Sequence, residues 1–154
     1  MSYAGNDLRK VVLMLSDWRI YALGSAIFAG LTAVLAKVGV SGLPSNTATL
    51  IRTIVIIMFL VVLVALRGEW VNPFTLSSRS LTFLVLSGIA TGLSWICYFR
   101  ALQMGPASVV APIDKLSLFF AVLLSVIFLG ERLNLLQWGG VILMSFGALL
   151  VALK

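Results

Sequence analysis

Histidine is absent from this 154-residue sequence, and cysteine occurs once, as Cys97. The first absence removes the side chain that most often serves as a general base near neutral pH. Together they leave no set of ligands for a transition-metal site, so no metal and no cofactor is expected. One cysteine also excludes an intrachain disulfide. Charge is scarce: charged residues make up 10% of the chain and only 5 are acidic, against about a quarter charged in an ordinary soluble domain. No glycine-rich nucleotide-binding loop occurs, which removes nucleotide hydrolysis as an energy source. With no histidine, one cysteine and no pair of carboxylates deep in an apolar run, the chain offers no catalytic constellation, and the expectation is that it is not an enzyme.

What the sequence has instead is apolar length. It is 61% hydrophobic, with a mean hydropathy of +1.13, more apolar surface than one soluble core of this size could hide. Five apolar segments stand out, at about 20–40, 47–66, 81–102, 108–129 and 133–153. Each has roughly 20 residues, which at 1.5 Å per residue matches a hydrocarbon core of about 30 Å. The connections are short and rich in turn residues, including Ser41-Gly42-Leu43-Pro44, Gly105-Pro106 and Gly130-Glu131-Arg132. The predicted fold is all-α, a polytopic membrane protein of five transmembrane helices. Residues 1–19 are read as a cytoplasmic or interfacial N-terminal segment and 20–154 as the transmembrane domain. The apolar stretch Val11 to Leu15 is too short for the core of a cleavable signal, so the first helix is expected to remain.

The net charge is +6. Its basic residues are spread over helix ends and short loops rather than gathered on one face, so nucleic acid is not an expected partner. Membrane lipid is: these side chains read as orientation signals and headgroup anchors. Arg9, Lys10, Arg19, Arg67, Arg79 and Arg132 fall on the N-terminal side of the membrane, against Arg100 and Lys154 in the opposite loops. That favours a cytoplasmic N-terminus in the inner membrane. Counting Lys37, Arg52 and Lys115, which lie inside the segments on the second side, nearly removes the bias, as a chain inserting both ways round would require.

Small residues recur at helical spacing: Ala22, Ala26 and Gly30; Gly88 and Gly92; Ser117, Ala121 and Ser125; Gly140 and Gly147. Such rows predict close helix packing. Charges within the apolar segments are more informative, because a charge near the bilayer centre costs about 2.5–3.5 kcal/mol on insertion scales. Lys37, Arg52, Asp114 and Lys115 all lie in the same half of the membrane. Lys37 and Arg52 are shallow enough to snorkel. Asp114 is deeper and short, and is expected to face the bundle interior or a wet cavity. Lys115, its neighbour, points about 100° away on an ideal helix and is not the expected partner. The cluster reads either as snorkelling plus one structural ion pair, or as a polar cavity for an anionic or zwitterionic solute. Trp95, Tyr98 and Phe99 lie near one face of the third helix, as packing or as an aromatic wall. Pro112 should kink the fourth helix and free the carbonyl of Ser108. Glu131 is expected to cap the fifth helix or pair with Arg132.

The stretch from Tyr98 through Arg100-Ala101-Leu102 to Ala107-Ser108-Val109-Val110-Ala111-Pro112 resembles the EamA domain of the drug/metabolite transporter superfamily. Phe128-Leu129-Gly130-Glu131-Arg132-Leu133 resembles its Leu-Gly-Glu signature, and Gly139-Gly140 and Gly147-Ala148 the glycines of its closing helix. The resemblance covers Tyr21 to Leu153, a single EamA-type repeat. The charged pair Asp114-Lys115 departs from the commoner apolar pattern and is similar to the short, single-domain branch. Typical members carry two such repeats, inverted, with the solute between them. The resemblance therefore implies pairing, as a homodimer with an inverted copy or a heterodimer with a sister subunit. It implies a half-size secondary transporter, more often an exporter, of small polar or amphipathic metabolites. The alternative is a non-transporting subunit that stabilises a partner. Candidate substrate or ion contacts are Asp114 for proton coupling or amine recognition, Arg52, Lys37 and Lys115 for carboxylate or phosphate, and Trp95, Tyr98, Ser108 and Pro112 around them.

Overall fold

In the lipid-embedded part of a membrane protein every backbone polar group must be satisfied within the chain, and helices do this segment by segment. The computed structural model describes residues 17–153. Of the segment 1–19 only the last residues fall among these. The helices are α1 (Trp18–Gly39), α2 (Ser45–Arg67), α3 (Ser78–Met104), α4a (Ala107–Asp114), α4b (Ser117–Leu124) and α5 (Leu135–Ala152). A short 3₁₀ turn, Pro73–Thr75, lies between α2 and α3, and a π-helical turn, Ser125–Leu129, follows α4b. Taking Ala107–Leu129 as one span gives five helices long and apolar enough to cross a membrane. The described chain is an all-α polytopic membrane protein. Its spans match the five apolar segments to within three residues at each end.

Helix ends are set by local chemistry. Ser77 caps α3 by accepting from the Ser80 N–H at 3.1 Å. Asn134 and Gln137 form a reciprocal capping box on α5, each side chain accepting from the other's backbone N–H at 2.8 Å. Asn134, the residue immediately before α5, takes the capping place expected of Glu131. Among the described residues Glu131 makes no ion pair; its backbone N–H instead closes the π turn onto the Ser125 carbonyl. Gly130 ends that turn at φ +70°, a left-handed conformation that glycine adopts without strain.

The fourth span is discontinuous, but not where proline chemistry alone places the irregularity. The break is at Lys115 and Leu116, three residues after Pro112. There the Lys115 N–H bonds the Pro112 carbonyl and the Leu116 N–H the Ile113 carbonyl, both at 3.0 Å. These are i to i−3 bonds, the tighter 3₁₀ pattern. Pro112 lacks an N–H for Ser108, and the helix recovers only after tightening one turn further on.

The chain divides at Leu35 and Ala36 into two compact units. In the larger one, from Ala36 onward, the core is Val40, Phe99 and Leu102, with Ala36, Ala48, Trp95, Tyr98, Ala107 and Val110 packed against it. This core joins the α1–α2 turn to the end of α3 and the start of α4a. Helix α3 packs on α2 and α4a, and α5 packs on α4a and α4b.

Candidate solute site within the membrane

Arg52 and Asp114 each lie seven residues past the first residue of a helix, Ser45 of α2 and Ala107 of α4a. Both helices start on the same side of the membrane. At 1.5 Å per residue both charges are about 10 Å along their helices, at matching depth. Helix α3 lies against both helices and presents a different stripe to each.

Towards α2, α3 offers Trp95 and Phe99, four residues apart. The Arg52 guanidinium carbon lies 4.7 Å from the Trp95 ring centre and 5.4 Å from that of Phe99. A guanidinium over aromatic faces gains about 0.5–2 kcal/mol, more as water is removed. Arg52 therefore has a partner at depth and does not depend on snorkelling. Its N–H groups remain unspent: among the described residues no carbonyl, hydroxyl or carboxylate accepts from it.

Towards α4a, α3 offers Ser94, Cys97, Tyr98 and Ala101, a helical row. With Val110, Ile113 and Asp114 these line a cavity of about 250 Å³. Tyr98 shares this cavity with Asp114 and packs edge-on against Phe99, with ring centres 6.2 Å apart. The Asp114 carboxylate is 3.6 Å from the Lys115 ammonium, contrary to the expectation that sequence neighbours point apart. The 100° separation assumes a continuous helix, and here the helix ends at Asp114, so the long lysine side chain can fold back. Both groups are substantially exposed, so the pair is weak. Arg100, another cation near this level, donates to Gln103 at 3.2 Å.

Lys37 does different work. Its ammonium donates to the carbonyls of Leu102 and, at 2.8 Å, Gly105, groups left without helical donors at the end of α3. The Gln103 amide donates to the Leu43 carbonyl. Lys37 and Gln103 thus tie the end of α3 to the α1–α2 turn. Ser108 is exposed and Pro112 half-buried, and neither lines the cavity holding Asp114. The structure thus brings Asp114, Lys115 and Tyr98 together, sets Arg52 and Trp95 on the other side of α3, and gives Lys37 a role at a helix end.

A third feature has no counterpart in the sequence reading. Helices α2 and α3 enclose a groove of about 670 Å³, whose walls include Thr49, Thr53, Gly88, Thr91, Gly92 and Trp95. A Cβ added at Gly88 or Gly92 would meet nothing within 4 Å, and the same is true at Gly140 and Gly147. The small-residue rows expected to pack are open within the chain. The groove's three threonine hydroxyls are satisfied along their own helices, Thr49 on the Ser45 carbonyl at 2.9 Å, Thr53 on Thr49 at 2.8 Å and Thr91 on Ser87 at 2.9 Å. That back-bonding lets them face an apolar medium.

Five helices long and apolar enough to span a bilayer, with charges inside them, describe an integral multi-pass membrane protein. The chain belongs to the EamA-like transporter family, whose model matches residues 17–153, within the drug/metabolite transporter superfamily. It is 52% identical, over 90% of its own length and 99% of the relative's, to a Sinorhizobium protein described as an uncharacterized transporter. It is 26% identical over 90% of its length to the pseudopaline exporter CntI of Pseudomonas aeruginosa, of which it covers 47%. A probable 4-amino-4-deoxy-L-arabinose-phosphoundecaprenol flippase subunit, ArnE of Yersinia pestis, is 32% identical over 47% of this chain and 64% of that protein. No solved structure matches.

Proposed function

We propose that the chain is a half-size secondary transporter, an exporter of small polar or amphipathic metabolites across the inner membrane, working as a dimer with its N-terminus on the cytoplasmic side. The observation that carries this reading is the Asp114 carboxylate, about 10 Å along its helix, lining a small open cavity between α3 and α4a. A carboxylate at depth is costly unless it is used. A second repeat-sized unit would close this cavity, and the 47% coverage of CntI is consistent with a chain about half that exporter's length. Asp114 receives a proton or a substrate amine. Lys115 returns as its counter-ion when the site is empty. Tyr98 supplies the aromatic surface of this cavity, and the helix break at Lys115 and Leu116 supplies irregular backbone beside it.

The test is proton-coupled uptake into liposomes containing the purified chain, with a panel of amine-bearing and zwitterionic metabolites. Asp114→Asn should abolish transport at normal expression, and Asp114→Glu should retain part of it. Unchanged transport in Asp114→Asn would remove the carboxylate from the mechanism. The relationship to a protein named as a flippase subunit supports a second reading, a subunit that is active only beside a different membrane partner. Stoichiometric co-purification with that partner and no transport by the chain alone would select it.

A further inference from the structure

The α2–α3 groove and the Arg52 stack stand apart from the Asp114 cavity, on the other side of α3. We propose that they form a binding site for an oxyanion-headed amphiphile, with the headgroup at Arg52 and the chain laid in the groove. The inference rests on the membrane placement of the helices and not on transport.

Arg52 has five N–H donors in a planar fork suited to carboxylate or phosphate. Trp95 and Phe99 occupy its face, which fixes the plane and leaves the edge. With no acceptor among the described residues, that edge is an unfilled donor set inside a membrane span. An oxyanion would satisfy it, and the aromatic rings hold the fork ready before the anion arrives.

The groove then selects what carries the oxyanion. Trp95, which lies under Arg52, is also part of the groove wall. From Ile96 the groove runs along α3 to Leu84, twelve residues or about 18 Å of helix. On α2 its lining runs from Asn46 to Thr53, the residue next to Arg52. Its volume of about 670 Å³ falls in the range of small-ligand pockets, about 300–1,000 Å³. Leu50, Leu84 and Ile96 provide apolar contact. Gly88 and Gly92 keep the floor free of side chains, and the three threonines on the walls each donate to a carbonyl of their own helix. Such a channel suits an alkyl chain, while a free anion would use only the Arg52 end. Charge complementarity at one end and apolar length beyond it point to one molecule with both.

The experiment uses the full chain in phosphatidylcholine nanodiscs and the quenching of Trp95 fluorescence by a dodecyl phosphate brominated in mid-chain. The difference between the wild type and Trp95→Phe isolates this tryptophan from the other three. The expected result is saturable quenching, with affinity at least tenfold above that for the same brominated chain carrying a trimethylammonium head. Inorganic phosphate should compete at least a hundredfold more weakly than the alkyl phosphate. Arg52→Gln should remove the preference for the phosphate head, and Gly88→Leu should weaken alkyl phosphate binding tenfold while leaving the helical content measured by circular dichroism unchanged. Equal quenching by both heads, or binding that Arg52→Gln and Gly88→Leu both leave intact, overturns the site. Competition by inorganic phosphate as strong as that by the alkyl phosphate overturns the groove and leaves a free-anion site. Because the readout is binding, loss of this site would leave transport through the Asp114 cavity standing, and absence of transport would leave this site standing.

Discussion

The last carbonyls of a helix have no intrahelical donor, and at the end of α3 Lys37 supplies one across 65 and 68 residues of sequence. A charged donor also complements the negative end of the helix dipole. Replacing it by an apolar side chain of similar length leaves two carbonyls short of a partner at a partly buried site. Lys37→Met should therefore lower stability by about 1.5–3 kcal/mol, the usual value of a hydrogen bond to a charged group. Thermal unfolding of the detergent-solubilised protein would show it as a lower midpoint, and an unchanged midpoint would return Lys37 to the list of substrate contacts. Asp114 behaves differently. Its only close ionic partner among the described residues is an exposed lysine, so Asp114→Asn should leave that midpoint within experimental error while abolishing transport. The pair of measurements separates a residue that holds the fold from one that uses it. The sequence separates these two charges by depth but not by role, since each interrupts an apolar run. What distinguishes them is where the neighbouring helix ends, which is tertiary information.

Elements carry their own tests. Gly130 at φ +70° ends the π turn, and an alanine there is forced into the left-handed region at about 1–2 kcal/mol. Gly130→Ala should destabilise by that amount, while Gly140→Ala, at an open helical site, should be neutral or slightly stabilising. Asn134→Ala, which removes the α5 capping box, should cost about 1 kcal/mol, and Glu131→Ala much less. Unfolding midpoints of the four variants in one detergent order these effects. The spans themselves were legible in the sequence because bilayer thickness fixes their length, and turn residues mark their ends. The break in α4 was legible only as a tendency. Pro112 announces a missing N–H, but the tightening falls at Lys115 and Leu116, where the backbone can take up 3₁₀ bonds, and this brings Asp114 and Lys115 into contact. The α2–α3 groove was not legible at all. Gly88 and Gly92 carry the pattern of a packing row, and whether such a row is filled depends on how far a neighbouring helix lies from it.

On the scale of the whole molecule, packing is uneven. From Ala36 onward the buried residues are Val40, Ser45, Thr49, Phe99, Leu102 and Ala148, all in the half of the membrane where α2 and α4a begin. That half also holds Arg52, Asp114 and the Lys37 tie. An oligomer that completes the Asp114 cavity must present its own wall at the same depth. An inverted copy brings its opposite, more loosely packed half to that level, so the two ends of the chain would complement one another. The nearly balanced positive charge on the two sides allows both insertions. The α1–α2 and α2–α3 connections face opposite sides of the membrane, which makes the reading testable without touching the site. In a Cys97→Ser background, which removes the one native cysteine, Ser41→Cys reports the first connection and Glu69→Cys the second. With an inverted homodimer, an impermeant maleimide applied to intact cells should label about half of each, and permeabilisation should expose the remainder. Full labelling of one position and none of the other would fix a single orientation and make a sister subunit of opposite insertion the required partner. Wild-type Cys97 then reports the cavity itself, since it lines the Asp114 pocket. Dimer formation should slow its reaction with a permeant maleimide relative to a dimer-deficient variant, because the second wall would close over it.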